Sequence, residues 1–519
     1  MTLYLSGLIS YLTEKNLLVC SKHCKDAATI ALYGIGHDSR IIEPGHVFVC
    51  KGAAFKPEFL KSALEAGAVA YLCAESHAAE LEAIAPTVPA LIATDANLRR
   101  AMAEASAYVT GHPDRSLTMI GITGTKGKST TACMLRAILD GDEPYEKTAI
   151  MGSIEVFDGI EHGKPDNTTP EAPELWRHLA NAQKCGLTYM AMEVSSQALK
   201  YDRTYGLHLD IAVFLNIGRD HISPVEHPTF EDYFASKMKI FDMAKTAVVN
   251  RDTEHYEDVM AHVHAAHERN PECCQRVCTF SATNPKADVW ADDISSEYGV
   301  VSFRAHTPTW TGFLSIPMPG LFNVDNALAA ITVASLLGFS GEKLQYPLLN
   351  THVSGRMELI PTKDRKVTAL VDYAHNRLAY QKLFSSSSQE FPNYGRYVVL
   401  GAVGGKAQER RRDLPEEGSK WADHLIYTTE DPAFDDPAEI CAEMAAATPE
   451  GASYEIILDR EEAIRQAVRL AYADARPSIV YLLAKGDEDF QSICGKRVPW
   501  KTDAAVFKAA VRDHEADRL

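Results

Sequence analysis

Residues 121–131 read GITGTKGKSTT, and this segment constrains the chain more than any other part of its sequence. Residues 116–120, just before it, are apolar and β-prone, and residues 132–139, just after it, have helical character. A glycine-rich turn between a strand and a helix offers backbone N–H groups and a helix N-terminus to a phosphate chain. The segment therefore predicts a phosphate-binding loop within an α/β fold.

The loop is a short variant of the common phosphate-binding motif. Ile122 stands five residues before Gly127, where the common motif has glycine, so the match runs from Gly124 to Ser129. In this pattern Lys128 is expected to reach the β- and γ-phosphates and Ser129 to hold Mg²⁺. The alternative is an ordinary tight turn. Strand, lysine, hydroxyl and helix together favour nucleotide binding.

Composition limits the classes of protein that fit. A chain of 519 residues is too long for one core, so about three domains are expected. The net charge of −18 argues against binding to nucleic acid or to an anionic membrane. No apolar run approaches the length of a membrane span. The N-terminus lacks a basic leader and carries Glu14 and Lys15, so it predicts a helix of a cytoplasmic protein, not a signal peptide.

The 11 cysteines are scattered along the chain. Two groups, Cys20 with Cys24 and the cluster at 273–278, suggest a metal, but neither has a second pair at zinc-like spacing. Reduced thiols in a cytoplasmic protein are the favoured interpretation.

The chain divides into three blocks, at 1–111, 112–345 and 346–519. Strands and helices alternate in each block, which predicts three α/β domains: an N-terminal one, a central parallel sheet of the P-loop type and a C-terminal Rossmann-like one. Residues 252–319 look less regular, with short β-like runs. The expected strands are at 46–50, 68–72, 187–193, 211–216, 246–250, 367–372, 397–401, 424–427 and 478–484.

Polar residues follow two predicted strands of the central block. Glu193 ends one strand, His221 follows the next, and Lys237 is expected on a helix. A carboxylate and an imidazole at neighbouring strand ends can both face a nucleotide-bound Mg²⁺. The alternative is that Glu193 caps a helix and His221 satisfies a loop. The buried, apolar character of the strands favours the metal site.

Seven short motifs follow one another along the chain. They are residues 124–130 (GTKGKST), 167–170 (NTTP), 192–196 (MEVSS), 216 with 219–221 (N and RDH), 323–326 (NVDN), 355–358 (GRME) and 371–375 (VDYAH). In the order of these motifs the chain resembles the Mur ligases, most closely the members that add the third residue of the peptidoglycan stem peptide. The resemblance covers all three blocks and is strongest at 117–240 and 316–376.

This resemblance implies ATP-driven amide synthesis. The D-glutamate carboxylate of UDP-MurNAc-L-Ala-D-Glu attacks the γ-phosphate of ATP, and an amino acid's α-amine then attacks the acyl phosphate. Mg²⁺ and lysine spread the developing charge. The resemblance implies two Mg²⁺ sites, one at Ser129 and Glu193 and one at His221 with Lys237 as a carbamylated N6-carboxylysine. Lys239 is close in sequence, and a solvated helix lysine is the alternative. The implied catalytic residues are Lys128, Glu193, His221 and Lys237.

The resemblance also implies two sets of binding residues. The ATP set is Gly124, Thr125, Lys126, Gly127, Lys128, Ser129, Thr130, Asn326, Arg356, Asp372 and His375. The UDP-sugar set is Ser39, Asn167, Thr168, Thr169, Ser195 and Arg203, with Arg203 expected at the diphosphate unless it is a surface cation. Three departures weaken the match. Tyr201 stands where related enzymes often have glutamine, Asn376-Arg377 replaces Thr-Pro, and the spacing differs across 401–412.

The added amino acid is predicted from a missing arginine. Family members that add meso-diaminopimelate carry Asp-Asn-Pro-Arg, whose arginine binds the distal carboxylate. Here residues 430–433 read EDPA. Losing that pairing costs on the order of 2–5 kcal/mol. With Asp431 and Glu488 as binding residues, an acidic pocket favours L-lysine, or ornithine, over diaminopimelate. The alternative is that these acids only reflect the acidic surface.

Two rival functions use the same motifs. One is an ATP-dependent amide ligase for another acid, such as a folate or cyanophycin-type substrate, and the first block with residues 167–170 argues against it. The other is a non-catalytic nucleotide-binding protein, which needs no second metal site. The expected partners are UDP-muramoyl-dipeptide and an amino acid, with no nucleic acid or membrane, and a monomer is expected.

Overall fold

The structure is a computed structural model that describes residues 2–52, 54–143, 145–165, 167–219, 222–223 and 226–516, with Glu342 described by its backbone alone. The chain forms two compact units. The first comprises Met1–Trp290, Thr307–Trp310 and Leu328–Lys343, and the second comprises Ala291–His306, Thr311–Ala327 and Leu344–Leu519.

The N-terminal part of the first unit is a small α/β layer. Its five-stranded sheet has the order β2-β7-β6-β5-β4, parallel except for β2, and β1 pairs separately with β3. The elements are β1 (Leu3–Tyr4), α1 (Leu5–Glu14), β2 (Cys20–Lys22), β3 (Ala31–Leu32), β4 (Gly34–Gly36), β5 (His46–Cys50), α2 (Glu58–Glu65), β6 (Ala70–Ala74), α3 (Glu75–Ile84), β7 (Ala90–Ala93) and α4 (Leu98–Thr110).

The larger sheet of the first unit carries the phosphate loop. Its order is β11-β10-β9-β12-β8-β13-β14-β15, and the strands from β9 to β15 pair in parallel. The elements are β8 (Thr118–Thr123), α5 (Lys128–Asp140), β9 (Thr148–Met151), β10 (Val156–Phe157), β11 (His162–Gly163), α6 (Ala172–Lys184), β12 (Tyr189–Glu193), α7 (Ser196–Lys200), β13 (Leu209–Phe214), α8 (Phe230–Met238), β14 (Ala244–Asn250), α9 (Tyr256–Arg269) and β15 (Arg276–Ser281).

The strand register brings the predicted site residues to one edge of this sheet. Glu193 pairs with Ile122 across β12 and β8, and Phe214 pairs with Thr123 across β13 and β8. The residues that follow these three parallel strands therefore lie side by side at their carboxyl ends, where ligands bind in such sheets. One apolar core runs from α1 and α4 to α6 and the central strands.

Residues 252–319 are more regular than the sequence predicts. The strands between residues 276 and 316 confirm the expected β-like runs, but the sequence analysis missed the 14-residue helix α9. The helix buries Val259, Val263 and Ala266, a helical spacing that its several histidines obscure in the sequence. The elements that follow are β16 (Val289–Glu297), β17 (Val300–His306), β18 (Thr311–Ile316), α10 (Asn323–Leu336) and α11 (Glu342–Leu349).

The second unit contains a six-stranded sheet of order β19-β20-β24-β21-β22-β23, parallel except for β19. Apolar clusters cover both of its faces. The elements are β19 (Glu358–Pro361), β20 (Val367–Asp372), α12 (Arg377–Glu390), β21 (Gly395–Leu400), α13 (Arg410–Gly418), β22 (His424–Tyr427), α14 (Pro437–Ala446), β23 (Tyr454–Ile456), α15 (Arg460–Ala473), β24 (Ser478–Leu483), β25 (Phe490–Ile493), β26 (Lys496–Pro499) and α16 (Asp503–Ala516).

The predicted α/β class is confirmed, with one parallel-rich sheet in each of the three predicted blocks. The block boundaries near 111 and 345 stay predictions. All 11 cysteines are free thiols. Among the described residues, no helix combines the length and apolarity that crossing a bilayer requires.

Candidate active site

The turn between β8 and α5 is held by the carboxamide of Asn216. The Lys126 N–H donates to Asn216 Oδ1 at 2.9 Å, and Asn216 Nδ2 donates to the Lys126 carbonyl at 3.0 Å. A Cβ on Gly124 would lie 2.9 Å from Leu215 Cβ, so this close approach requires glycine. Gly127, with a φ of 91°, is the N-cap of α5. The turn thus presents the N-terminus of α5 beyond the sheet edge, as an anion-binding loop requires.

Two lysine side chains converge on this loop. Lys128 Nζ donates to the Gly124 carbonyl at 3.0 Å, and Lys237 Nζ, on α8, donates to the same oxygen at 2.9 Å. Lys237 is only 2% exposed, and its ammonium lies 4.8 Å from the centre of the Tyr233 ring. The Tyr233 hydroxyl in turn hydrogen-bonds Thr125 Oγ1 at 3.0 Å. Helix α8 is thereby fixed against the loop.

The second predicted metal site is described only in part. Lys237 lies beside the loop, where its Nζ donates to the Gly124 carbonyl. His221 lies outside the described residues, so its place next to Lys237 stays a prediction, as does carbamylation.

A serine that the sequence analysis missed joins the two predicted ligands of the first metal. Ser129 Oγ and Ser153 Oγ lie 2.9 Å apart, and the Ser153 N–H donates to Glu193 Oε1 at 2.8 Å. Glu193 is 1% exposed. A Cβ on Gly152 would lie 2.3 Å from Glu193 Oε1, so the carboxylate occupies the space of a missing side chain. Two hydroxyls and a carboxylate are hard oxygen donors that suit Mg²⁺.

The predicted UDP-sugar residues Thr169, Ser195 and Arg203 form one hydrogen-bonded group around Glu193. Thr169 Oγ1 donates to the Glu193 carbonyl at 2.9 Å and accepts from the Ser195 N–H at 3.0 Å. Arg203 Nη1 donates to the Thr169 carbonyl at 2.9 Å. Ser195 Oγ caps α7 by accepting from the Ala198 N–H.

The other predicted UDP-sugar residues are less engaged. Asn167 is exposed and Thr168 half-buried in the loop that leads to Thr169. Ser39 is half-buried in the turn before β5, and no hydrogen bond joins its side chain to the group around Glu193 among the described residues. Its neighbour Asp38 binds the Arg40 guanidinium at 2.6 Å, which holds the pKa of Asp38 at about 2.

The second unit brings the two C-terminal nucleotide motifs together. Asp372 accepts from the Met357 N–H at 2.8 Å, and the Arg356 guanidinium lies 4.5 Å from the centre of the Tyr373 ring. His375 Nδ1 donates to the Tyr373 carbonyl at 2.7 Å. Arg356, Asp372 and His375 therefore form one polar group at the carboxyl end of β20, and their predicted contact with ATP stays a prediction.

Asn326 is not part of that group. It is 4% exposed, and its Nδ2 donates to Asn323 Oδ1 at 2.9 Å near the start of α10. Among the described residues no hydrogen bond links it to the motifs at the end of β20, so its predicted adenine contact stays a prediction.

The predicted amino-acid pocket has a feature that the sequence analysis missed. Asp431 and Glu488 do come together, because the fully buried Lys485 donates to Asp431 Oδ1 at 2.9 Å and also to Glu488. The neighbouring Glu430 is buried, and no hydrogen-bond donor reaches its carboxylate among the described residues. Burial, then the charge of Asp431, raises the pKa of Glu430 to about 7. The pocket is acidic, but a lysine of the chain itself partly neutralises it.

Comparison with known proteins assigns the family. The sequence profile of the Mur ligase middle domain matches residues 122–334, and that of the Mur ligase glutamate ligase domain matches residues 355–486. A UDP-N-acetylmuramyl-tripeptide synthetase of Ligilactobacillus salivarius is 35% identical over 99% of this chain and 100% of its own length. The chain belongs to the Mur ligase family.

Two more relatives support this assignment. A UDP-N-acetylmuramoyl-L-alanyl-D-glutamate–L-lysine ligase of Enterococcus faecalis is 35% identical over 92% of this chain and 91% of its own length. Among solved structures, a UDP-N-acetylmuramoyl-L-alanyl-D-glutamate–2,6-diaminopimelate ligase matches with a TM-score of 0.65 and 25% identity, over 99% of this chain and 100% of that one. As a Mur ligase, the chain is an ATP-dependent ligase.

This Mur ligase compensates for one of its sequence departures by helix capping. Asn376, which replaces threonine, accepts from the Ala379 N–H at 2.9 Å and so caps α12. Arg377, which replaces proline, pairs with Asp413 at 2.8 Å on α13. Asparagine caps a helix as well as threonine does, so the local fold survives the exchange.

The segment 401–412 of this Mur ligase is also tied to its neighbours. Arg411 is 7% exposed and pairs with Asp435 and, at 3.0 Å, with Glu443. Arg412, by contrast, is largely exposed. Among the described residues, Arg411 therefore holds α13 against α14, whereas Arg412 does not.

Proposed function

We propose that the chain joins L-lysine to the D-glutamyl carboxylate of UDP-N-acetylmuramoyl-L-alanyl-D-glutamate, with ATP as the energy source. The observation that carries the proposal is the convergence of Lys128, Lys237 and the Ser129–Ser153–Glu193 cluster on one phosphate loop. The names of the two relatives, a tripeptide synthetase and an L-lysine ligase, support the substrate class.

The chemistry requires two anions to meet. The substrate carboxylate oxygen attacks the γ-phosphorus of ATP, the bond to the β-phosphate oxygen breaks, and ADP leaves an acyl phosphate behind. The lysine α-amine then attacks the acyl carbon, loses a proton, and expels inorganic phosphate. Lys128 at the loop offsets the repulsion in the first step, because its ammonium is held beside the phosphate-binding N–H groups.

Ser129, Glu193 and the intervening Ser153 would hold the Mg²⁺ that accompanies ATP. When bound, this ion would neutralise charge on the phosphate oxygens. His221 and a carbamylated Lys237 would hold a second ion. Carbamylation replaces the Lys237 cation by an anionic oxygen donor, which explains how a lysine serves at a metal site.

The nucleotide-sugar substrate is assigned to residues near Glu193 and to the N-terminal block. Ser39, Asn167, Thr168, Thr169, Ser195 and Arg203 form this proposed binding set. In the proposed three-domain division, block 1–111 binds the UDP-sugar, 112–345 binds ATP and 346–519 binds the amino acid and part of the nucleotide. Asn326, Arg356, Asp372 and His375 complete the proposed ATP set.

L-lysine is favoured by the charge of the pocket. Ala433 occupies the place of the arginine that would pair with a distal carboxylate, and it carries no charge. Asp431 and Glu488 share the one ammonium group of Lys485, and the Glu430 carboxyl lies beside them, so the pocket would favour an additional ammonium group. Ornithine carries the same ammonium on a chain one methylene shorter, which costs roughly 1–3 kcal/mol in a fitted pocket.

We place this reaction in the cytoplasm and expect a monomeric enzyme without nucleic-acid partners, in keeping with the acidic net charge and the 11 free thiols.

ADP formation tests the proposal. Purified protein with Mg²⁺ and ATP should release ADP only when both UDP-muramoyl-dipeptide and L-lysine are present, with ornithine slower and diaminopimelate slowest. Release with a folate and glutamate instead would support the rival ligase. No ADP with any basic amino acid would contradict the proposed function, and a preference for diaminopimelate would refute the argument from the pocket.

A further inference from the structure

Three cations surround one carboxylate beside the proposed substrate site. Lys51 Nζ lies 2.5 Å from one Glu171 oxygen, Arg203 Nε lies 2.9 Å from the other, and Arg99 Nη1 lies 3.8 Å from Glu171. The side chains of Lys51, Arg203 and Glu171 are 7%, 13% and 14% exposed, and that of Arg99 is 35% exposed. We call Lys51, Arg99, Glu171 and Arg203 the Glu171 cluster.

The Glu171 cluster has more positive charge than it can neutralise. One carboxylate faces three cations, which leaves a net charge of about two positive units in a largely buried place. Burial lowers the pKa of Lys51, and the charges of Arg99 and Arg203 add to this effect. The same cations keep the pKa of Glu171 below its usual range although burial opposes this.

One guanidinium nitrogen of the cluster lacks an acceptor. Arg99 Nη1 is buried, donates no hydrogen bond to any described residue and lies 3.8 Å from the Glu171 carboxylate, whereas Arg203 Nε lies 2.9 Å from that carboxylate but is poorly aligned with it. A buried donor without an acceptor destabilises the folded protein, because it has lost its hydrogen bonds to water. An anionic ligand would remove this cost and balance the excess charge at once.

The position of Arg99 is set by a departure from the family pattern. Its guanidinium lies 4.9 Å from the centre of the Tyr201 ring, where related enzymes often have glutamine. A tyrosine ring attracts a guanidinium stacked on its face. The aromatic ring therefore holds Arg99 in the cluster, a task that a glutamine cannot perform.

The cluster is also connected to the proposed metal site. Arg203 Nη1 donates to the Thr169 carbonyl, and Thr169 Oγ1 donates to the carbonyl of Glu193. An anion bound at the cluster would thus lie close to Thr169 and Arg203, which belong to the proposed UDP-sugar set, and near Glu193.

We propose that the Glu171 cluster binds an anionic group of the nucleotide-sugar substrate, and that Lys51 and Arg99, the latter positioned by Tyr201, are binding residues of this enzyme. The inference rests on the proposed function. The anion is a phosphate of the UDP group or a carboxylate of the dipeptide, because both match a paired guanidinium site.

Arg100 provides a matched control for Arg99. It is the next residue on the same helix, it pairs with Asp202 at 3.1 Å, and its guanidinium lies 5.0 Å from the centre of the Tyr205 ring. Like Arg99, Arg100 therefore stacks on a tyrosine ring and faces a carboxylate, but that carboxylate belongs to Asp202, which is not part of the Glu171 cluster.

Steady-state kinetics test the proposal. Arg99→Ala should raise the KM for UDP-muramoyl-dipeptide roughly tenfold or more, as the loss of one charge-assisted contact predicts, and leave kcat and the KM for ATP unchanged. Tyr201→Ala should do the same, and Tyr201→Phe, which keeps the ring, should not. Arg100→Ala should leave all three constants unchanged.

Equal effects of Arg99→Ala and Arg100→Ala, or no effect of Arg99→Ala on that KM in an active enzyme, would overturn this inference alone. An inactive wild-type enzyme would instead overturn the proposed function. In that case, calorimetric binding of UDP-muramoyl-dipeptide to the wild type and to Arg99→Ala still decides the inference, because tighter binding by the wild type supports it and equal binding overturns it.

Inhibition of the active enzyme by fragments identifies the anion. If the cluster binds a phosphate, Arg99→Ala should weaken inhibition by UDP roughly tenfold. If it binds a carboxylate, the variant should weaken inhibition by the muramoyl-dipeptide without nucleotide. Unchanged inhibition by both fragments would overturn the proposal.

Discussion

Lys237 Nζ donates a hydrogen bond of 2.9 Å to the carbonyl oxygen of Gly124, across 113 residues of sequence. This bond joins the first turn of the phosphate loop to α8, and the ammonium is nearly inaccessible to solvent. A buried cation on a loop that binds a triphosphate is costly unless it serves that loop. The contact favours Lys237 over the nearby Lys239 as the lysine of the proposed site.

Replacing either lysine tests this choice. Lys237→Ala should reduce kcat by about 10²–10³, as expected for a group that stabilises charge in the transition state, whereas Lys239→Ala should change it by less than about twofold. Lys239 Nζ, by contrast, donates to the Leu199 carbonyl at 3.2 Å and makes no hydrogen bond to the phosphate loop among the described residues. Both variants should keep the wild-type circular dichroism spectrum. If Lys239→Ala were the inactive variant, the assignment would be reversed.

Carbamylation of Lys237 has a test of its own. Loss of activity on removal of CO₂, with recovery on adding bicarbonate, would support carbamylation.

The close approach of the Glu193 carboxylate to Gly152 offers a second test. In Gly152→Ala the new Cβ would clash with Glu193 Oε1, which lies 2.3 Å from its position, and would displace the proposed metal ligand. A misplacement of about 1 Å can cost roughly 10²-fold in rate, so we expect a fall of that order in kcat and a higher Mg²⁺ requirement. Gly163→Ala is the control, because nothing lies within 4 Å of a Cβ there. Equal activities of the two variants would argue against Glu193 as a ligand.

Much of this site could be predicted from the sequence because strand ends meet at one edge of a parallel sheet. The loop at 124–129 and Glu193 follow neighbouring strands, so pattern and topology together bring them near each other. Ser153 was missed because it lies in the short turn after the end of β9, where no sequence motif marks it. Its role depends on the side-chain packing around Gly152, which sequence periodicity does not report.

Lys485 was missed for a different reason. The acidic residues 487–489 suggest a negative pocket, and a lysine two positions earlier looks like a solvated charge. Only the fold shows that Lys485, just past the end of β24, is fully buried between Asp431 and Glu488. Helix α9 was likewise hidden, because histidines interrupt its apolar face.

Lys485 is therefore expected to stabilise the second unit. Lys485→Met would leave two partly buried carboxylates without their cation, so the free energy of unfolding should fall by about 3–5 kcal/mol. Lys22→Met, which removes an exposed pair with Glu82, should cost less than about 1 kcal/mol. Urea unfolding of both variants at neutral pH provides the measurement. A loss at Lys485 no larger than that at Lys22 would contradict the buried ion-pair assignment.

Glu430 makes stability depend on pH in a predictable direction. Its pKa is raised from 4.5 to about 7, so the folded state binds more protons than the unfolded state between these values. Stability should therefore fall as pH rises from about 4.5 to 7, by about 3 kcal/mol from this group, and the loss should be complete above pH 7.

Glu430→Gln removes this ionisation. The variant should be more stable than the wild type at pH 8 and should gain less, or nothing, at pH 4.5, as measured by urea unfolding at both values. A stability difference that does not change with pH would show that the pKa of Glu430 is not raised in the folded protein.

The transfer of oxygen from substrate to phosphate tests the central claim most directly. If the D-glutamyl carboxylate attacks ATP, substrate labelled with ¹⁸O in that carboxylate must pass one labelled oxygen to the inorganic phosphate when the lysine amine expels it. Mass spectrometry of the phosphate after turnover with Mg²⁺, ATP and L-lysine should therefore show one ¹⁸O atom for each amide formed. Amide formation with unlabelled phosphate would contradict acyl-phosphate activation at this loop.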